Sequence, residues 1–396
     1  MDDIPSFMRP LVARQIKTID MHTTGEPTRI VYSGFPDIPG TLLEQRAVAL
    51  SQHDHIRRSL IFEPRGHRDM YGAILRPHTE LVDQGEAHMG VLFMTHEGYS
   101  TMCGHATIAV SRLLVDCTDP LIFPRRHELH FDTTSATVEV RLHVPCGLVR
   151  ITVPATGTAA AFRADPSRPI TYLSVPSFAA GLNLSVPIPP SLRWPALPAA
   201  TTSVPVNVTY GGAFYIVVPA PVLGFPASLA HPPITALRDA TARLKAAFNA
   251  SPDLRRHLHH PDHPDLAFLY SVFVTEPGRG AVPDGCAGAE SGLCFFADSQ
   301  VDRSPTGSGV QARVALAVAK GERGVGDAWA YHSVLSNAFG GSGAFVGRAV
   351  EEVEVGDRKG VRVEVSGCAS YTGVSTFVVE RGDEIGGGFS FEALGD

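Results

Sequence analysis

Two short turns in this sequence carry residue types that can move a proton. The first is Ser100-Thr101-Met102-Cys103-Gly104-His105, set between the apolar run Gly90 to Met94 and the mostly apolar run Ala106 to Val115. Cys103 falls where a buried helix would begin. The helix dipole there favours the thiolate, from an ordinary pKa of about 8.5. Gly104 permits close backbone approach and His105 adds a polar partner. The second turn is Asp302-Arg303-Ser304-Pro305-Thr306-Gly307-Ser308-Gly309-Val310, between the strand-like run Leu293 to Phe296 and the apolar helical run Gln311 to Lys320. Free N–H groups at such a helix start, together with its dipole, make each turn half of an anion site.

Laid over each other, the turns match Cys103 with Thr306, Gly104 with Gly307 and His105 with Ser308. A shorter echo relates Met21-His22-Thr23-Thr24-Gly25-Glu26 to Val208-Thr209-Tyr210-Gly211-Gly212-Ala213. The pattern predicts a duplicated fold whose two central helices aim their N-termini at one shared ligand.

Other readings of these residues stand beside that one. Thr306 is too weakly acidic to serve as a base at neutral pH, but it can donate a hydrogen bond or hold a water. It could equally be a helix N-cap, a role for which Ser304 competes. Asp302 could pair with Arg303, cap the helix or bind a substrate ammonium, and the sequence leaves these open. Gly307 to Ala312 fits G-x-G-x-x-A, so a dinucleotide-binding enzyme is the rival class. The polar residues before it, and the lack of a following strand ending in an acid, count against that. His257, His259, His260 and His263 suggest a metal, yet they sit in a Pro- and Asp-rich stretch without a cysteine or acidic cluster at ligand spacing, which reads as a solvated loop. No metal site and no cofactor are expected. A non-catalytic binding module would leave Cys103 idle.

The elements that must position these turns are strands more than helices. Strand-like runs appear at Ile16 to Ile19, Arg29 to Tyr32, Tyr71 to Leu75, Thr137 to Val144, Leu148 to Val153, Val206 to Val218, Leu266 to Val274, Val361 to Val365 and Ser375 to Val379. Surface helices are expected over Leu42 to Leu60 and Ile234 to Asn249. Without βαβ alternation, the class is α+β. Pro176 to Pro205 is so rich in proline that it reads as a linker or long loop near a domain boundary. Ala281 to Gly292 reads as a small-residue loop.

At 396 residues, two domains are the expectation, with three as the alternative. A net charge of −7 without a basic stripe disfavours nucleic acid as a partner. Six cysteines without a CxxC pair read as reduced thiols, and Cys117, Cys146, Cys286, Cys294 and Cys368 lack the setting of Cys103. Residues 1–14 look like a loose leader without signal-peptide character. No apolar run is long enough to span a bilayer, so no membrane is expected and the default location is the cytoplasm.

Met21 to Pro27, Glu63-Pro64-Arg65-Gly66-His67-Arg68-Asp69-Met70, Met102 to His105, Tyr210-Gly211-Gly212 and Asp302 to Gly309 together resemble the proline racemase superfamily, in family order over about residues 16–380. Thr24 departs from the family, which usually has glycine there. The resemblance implies two pseudo-symmetric halves of the diaminopimelate epimerase kind, each a mainly antiparallel sheet or barrel around a buried helix, with the active site in the cleft between them. The halves are expected at residues 15–185, joined by 370–396, and at 186–369. Racemases and hydroxyproline epimerases of the family carry cysteine in both turns. Thr306 resembles the trans-3-hydroxy-L-proline dehydratase branch, with proline racemase or hydroxyproline 2-epimerase activity as the alternative. The resemblance also implies cofactor-independent chemistry on a small imino acid. Cys103 and Thr306 would be catalytic. Gly104, His105, Gly307 and Ser308 would bind the carboxylate, Asp302 the ring nitrogen, and Phe296 would line the pocket. A homodimer is compatible with this reading.

Overall fold

Strand follows strand along most of the computed structural model, which describes residues 4–226, 229–261, 264–297 and 299–391. In chain order the main elements begin with β1 (Val12–Thr23), β2 (Glu26–Ser33), α1 (Leu42–Gln52), α2 (Asp54–Ile61), β3 (Gly72–Arg76) and β4 (Met89–Met94). Next come α3 (Gly104–Asp116), β5 (Thr137–Val144), β6 (Gly147–Thr158), β7 (Phe178–Pro187), β8 (Ser203–Tyr210) and β9 (Phe214–Pro219). They are followed by α4 (Ile234–Ala250), β10 (Leu269–Pro277), β11 (Gly288–Phe296), α5 (Gly307–Ala319), β12 (Trp329–His332), β13 (Phe345–Val355), β14 (Arg358–Gly367) and β15 (Ala369–Glu380). The fold is α+β with mixed sheet pairing. The chain divides into two units, Met1–Ile170 with Cys368–Asp396 and Thr171–Gly367.

In the first unit β1 pairs antiparallel with both β2 and β15, and β2 runs parallel to β3. β3 and β4 are antiparallel, β4 and β5 parallel, and β5 and β6 antiparallel. The β1–β2 turn is Thr24-Gly25, with φ of 51° and 78°. Positive φ at both positions is what a two-residue hairpin of the favoured twist requires, a conformation that glycine adopts more readily than threonine. α3 packs against β1, β2, β5, β6 and β15, and buries every residue from Gly104 to Val115 except Arg112. An apolar helix wrapped by strands needs no polar face.

In the second unit β7, β8 and β9 are antiparallel neighbours, and β9 runs parallel to β10. β10 and β11 are antiparallel, β11 and β12 parallel, and β12, β13 and β14 antiparallel in turn. α5 packs against β7, β8, β9, β13 and β14, and is buried from Gly307 to Ala317.

Three expectations fail. Leu42 to Leu60 is not one surface helix: it breaks at His53 (φ −124°, ψ 12°), and α2 buries Ile56, Leu60 and Ile61. Pro176 to Pro205 is not a loop, because β7 and the start of β8 lie within it. Pro187 ends β7 opposite Ser203, and Pro205 sits where β8 is paired with β7 alone, before its pairing with β9 begins at Asn207. A proline whose missing N–H faces an open edge removes no ladder bond. The expected edge at 185–186 accordingly falls inside β7. Finally, the supposed loop 281–292 becomes strand from Gly288 onward. Among the described residues, no helix is long and apolar enough to cross a membrane.

Candidate active site

Cys103 is the N-cap of α3, with ordinary extended φ and ψ of −147° and 111°. Its Sγ accepts from the Ala106 N–H at 3.4 Å and lies 3.2 Å from His105 Nδ1. Thr107 Oγ1 donates to the Cys103 carbonyl at 2.7 Å, bracing the turn from within the helix. The imidazole meets the Tyr71 ring edge-on at 4.6 Å between centroids, and the Tyr71 and Ser100 hydroxyls are 2.6 Å apart. The His105 carbonyl accepts from Thr23 Oγ1 at 2.9 Å, which ties the turn to β1. Cys103 is only 5% exposed. The arrangement offers a buried thiol at a helix N-terminus with an imidazole in contact.

The Glu63–Met70 motif is a scaffold within the same unit. Arg29 pairs with Asp20 at 3.0 Å and donates to the carbonyls of Leu60 and Arg65 at 2.8 and 2.6 Å. Arg65 in turn donates to the Val378 and Gly386 carbonyls at 3.1 and 3.0 Å.

The turn before α5 is built differently. Asp302 is 4% exposed, and its Oδ1 accepts from the Ser304 N–H at 2.7 Å. Its Oδ2 accepts from Thr306 Oγ1 at 2.7 Å, while Ser304 Oγ accepts from the Thr306 N–H at 3.1 Å. Asp302 therefore shapes its own turn and accepts a hydrogen bond from the Thr306 hydroxyl. Thr306 holds the N-cap position without a side-chain cap bond, at φ 63° and ψ 94°. For a β-branched residue that conformation costs on the order of 1–3 kcal/mol. The first helical bond runs from the Val310 N–H to the Thr306 carbonyl at 2.7 Å, so the amides of Gly307 and Ser308 lie ahead of the helical ladder.

Glycines set the spacing around this turn. A Cβ on Gly211 would stand 2.4 Å from the Ser308 carbonyl oxygen and 2.6 Å from the Ala312 nitrogen. The bare backbone of Tyr210-Gly211-Gly212 is what lets the β8–β9 turn touch α5. Gly309 faces the Phe273 ring with similar closeness, so this glycine answers to packing where a dinucleotide motif was the rival reading. Ser308 Oγ and Tyr215 OH are 2.7 Å apart. Phe296, at the end of β11, stacks with Tyr270 at 6.2 Å.

Cys294 lies close to Asp302 and Thr306. Burial, then the Asp302 charge, pushes its thiol up to about 12, and burial does the same to Cys146. Both therefore remain thiols at neutral pH. His257 Nδ1 contacts the Ala180 carbonyl at 3.0 Å, and His260 packs edge-on against Tyr210. His263 lies outside the described residues. Among the described residues no three His, Cys, Asp or Glu side chains gather as a metal would need.

Sequence reasoning missed Arg313, Glu290 and Arg323, which form a buried charged group beside the Thr306 turn. A lone arginine inside the otherwise apolar run after Gln311 was the available signal, because such a charge is buried only with a partner.

The chain matches the family model described as proline racemase over residues 18–390. It is 41% identical over 379 residues to a curated trans-L-3-hydroxyproline dehydratase of Pongo abelii, covering 94% of each chain. It is 34% identical to the trans-3-hydroxy-L-proline dehydratase of Burkholderia cenocepacia, covering 96% of this chain and 98% of the relative. In fold it is similar to the crystal structure of a probable proline racemase from Agrobacterium radiobacter, with a TM-score of 0.75 at 22% identity, over 96% and 97% of the two chains.

Proposed function

The chain belongs to the proline racemase family, and on that premise we propose that it is a hydro-lyase that dehydrates trans-3-hydroxy-L-proline to Δ1-pyrroline-2-carboxylate. The relatives with nearly full-length alignment carry that activity in their names. The observation that carries the reading at residue level is the contrast between the two turns. One presents a cysteine against an imidazole, and the other a threonine whose proton is committed to Asp302.

The reading has both turns address one substrate. The carboxylate takes the amides of Gly104, His105, Gly307 and Ser308, Asp302 receives the ring nitrogen, and Phe296 lines the pocket. The Cys103 thiolate removes the α-proton, and the helix N-termini stabilise the charge that builds at the carboxylate. The electron pair forms the Cα–Cβ double bond as the C3–O bond breaks. In the trans isomer the 3-hydroxyl lies on the same ring face as the α-hydrogen. One thiol can therefore take the proton and return it to the departing hydroxide, releasing water and restoring the thiolate. The resulting enamine tautomerises to the imine. No cofactor enters this scheme. Racemisation needs a second proton carrier on the opposite face, which a threonine hydroxyl does not supply.

The test is purified protein with trans-3-hydroxy-L-proline, following substrate loss and formation of the cyclic imine, beside cis-3-hydroxy-L-proline. Turnover of the trans compound alone is expected. Equal turnover of both isomers would overturn the single-thiol scheme, and racemisation of L-proline at a comparable rate would overturn the dehydratase reading.

A further inference from the structure

The peptide unit joining Pro305 to Thr306 is gripped at both polar ends. Its carbonyl oxygen accepts from Arg313 Nη2 at 3.1 Å, and its N–H donates to Ser304 Oγ at 3.1 Å. A planar peptide held at both ends cannot make the flip by which Thr306 would relax to negative φ. We propose that Arg313, backed by Glu290, is a positioning residue that holds Thr306 in its left-handed conformation, so that the hydroxyl meets Asp302.

Everything around Arg313 serves that grip. Its guanidinium lies over the Phe273 ring at 4.3 Å and the Tyr331 ring at 4.5 Å. Gly292 makes the room: a Cβ there would stand 2.1 Å from Phe273 and 2.8 Å from Arg313 Nη1. Glu290 Oε1 accepts from Arg313 Nη1 at 3.1 Å, and Oε2 accepts from Arg323 Nη2 at 2.8 Å. Arg323 is anchored in turn over Trp329 and donates to the Tyr331 hydroxyl. A planar fork holds a carboxylate with one arm and a carbonyl with the other at a fixed spacing, which the single rotatable ammonium of a lysine does not reproduce. Burying such charges is expensive, and apolar residues of the same volume often give greater stability. Retaining the group here is accounted for by the geometry it imposes on the turn.

The inference rests on the reading above for its kinetic consequence, but its structural consequence stands alone. Arg313→Lys keeps the charge beside Glu290 and loses the second arm, while Ser304→Ala releases the other end of the peptide. Each is expected to lower kcat for trans-3-hydroxy-L-proline by about tenfold or more, with KM within about threefold. In a Thr306→Gly background, where positive φ carries no penalty, each is expected to change kcat by less than about twofold further. Crystal structures of both variants are expected to show Thr306 at negative φ, with its bond to Asp302 lost. If Thr306 keeps its angle in Arg313→Lys, or if kcat falls equally with and without Thr306, the proposal is overturned. A parent without dehydratase activity would instead overturn the proposed function. The crystal structures would then decide on the positioning role, as they would if Thr306→Gly turned over too slowly to measure.

Discussion

Cys103 sits in a relaxed extended conformation and caps its own helix, whereas Thr306 is held at positive φ and donates its hydroxyl hydrogen bond to an aspartate. On the proposed reading the first exchanges a proton and the second accepts hydrogen bonds. Cys103→Ser should therefore lower kcat by at least ~10³-fold, since a serine hydroxyl in that place is a far poorer base. The thermal midpoint should stay within about 2 °C, because size and capping are kept. Full activity in this variant would remove Cys103 from the chemistry. Thr306→Cys should add the missing second proton carrier. Deuterium exchange at Cα of L-proline, read by ¹H NMR in D₂O, is expected in that variant and not in the parent.

At the scale of elements, the two turns were legible because glycine and proline punctuate them and apolar runs flank them. The break at His53 was not, since no glycine or proline marks it and the polar residues of α1 and α2 continue a helical rhythm. The prolines of 176–205 misled for another reason. Whether a proline disrupts a strand depends on which edge is already paired, and that is a tertiary fact. Arg313 and Glu290 likewise meet only through folding. The dependence of α5 on the bare backbone of Gly211 is testable. Gly211→Ala should destabilise the protein by about 2 kcal/mol, because the two nearest clashing atoms are backbone and cannot step aside. Denaturant unfolding measures it, and a change within experimental error would mean that the close approach is dispensable.

The first unit taken whole has a dependence on pH and a dependence on the C-terminal strand. His88, in the first unit, accepts the Arg141 N–H at Nδ1 (3.0 Å) and has the Arg141 guanidinium 3.0 Å from its other nitrogen. Burial, then the Arg141 charge, lowers its pKa to about 4. The unfolded chain, near 6.5, takes up a proton that the folded one refuses. This contribution to stability is intact above about pH 6.5 and declines as pH falls towards 4. His88→Gln should remove that part of the slope, measured as the shift in urea midpoint between pH 7.5 and 5.0. An identical shift in parent and variant would exclude His88 as a source. Deleting residues 368–396 should remove β15, the Phe377 ring over which Arg29 stacks at 4.2 Å, and both carbonyls that anchor Arg65. Limited proteolysis should then cut within residues 1–170 while sparing 171–367, and uniform resistance would show that β15 is not needed.

The pairing of β1 with β15 joins Thr23 to Ala369 at one end and Val12 to Glu380 at the other. A ribosome adding about 5–20 residues per second needs roughly 20–70 s to travel from the end of β1 to the start of β15. Through that interval the first unit lacks one of its strands, and one edge of β1 stands open to the cell. The second unit, contiguous in sequence, completes itself while the first is still waiting. Vectorial synthesis thus exposes a sheet edge of the unit that carries Cys103, and the nascent chain is most open to misassociation before the enzyme's thiol has a finished fold around it.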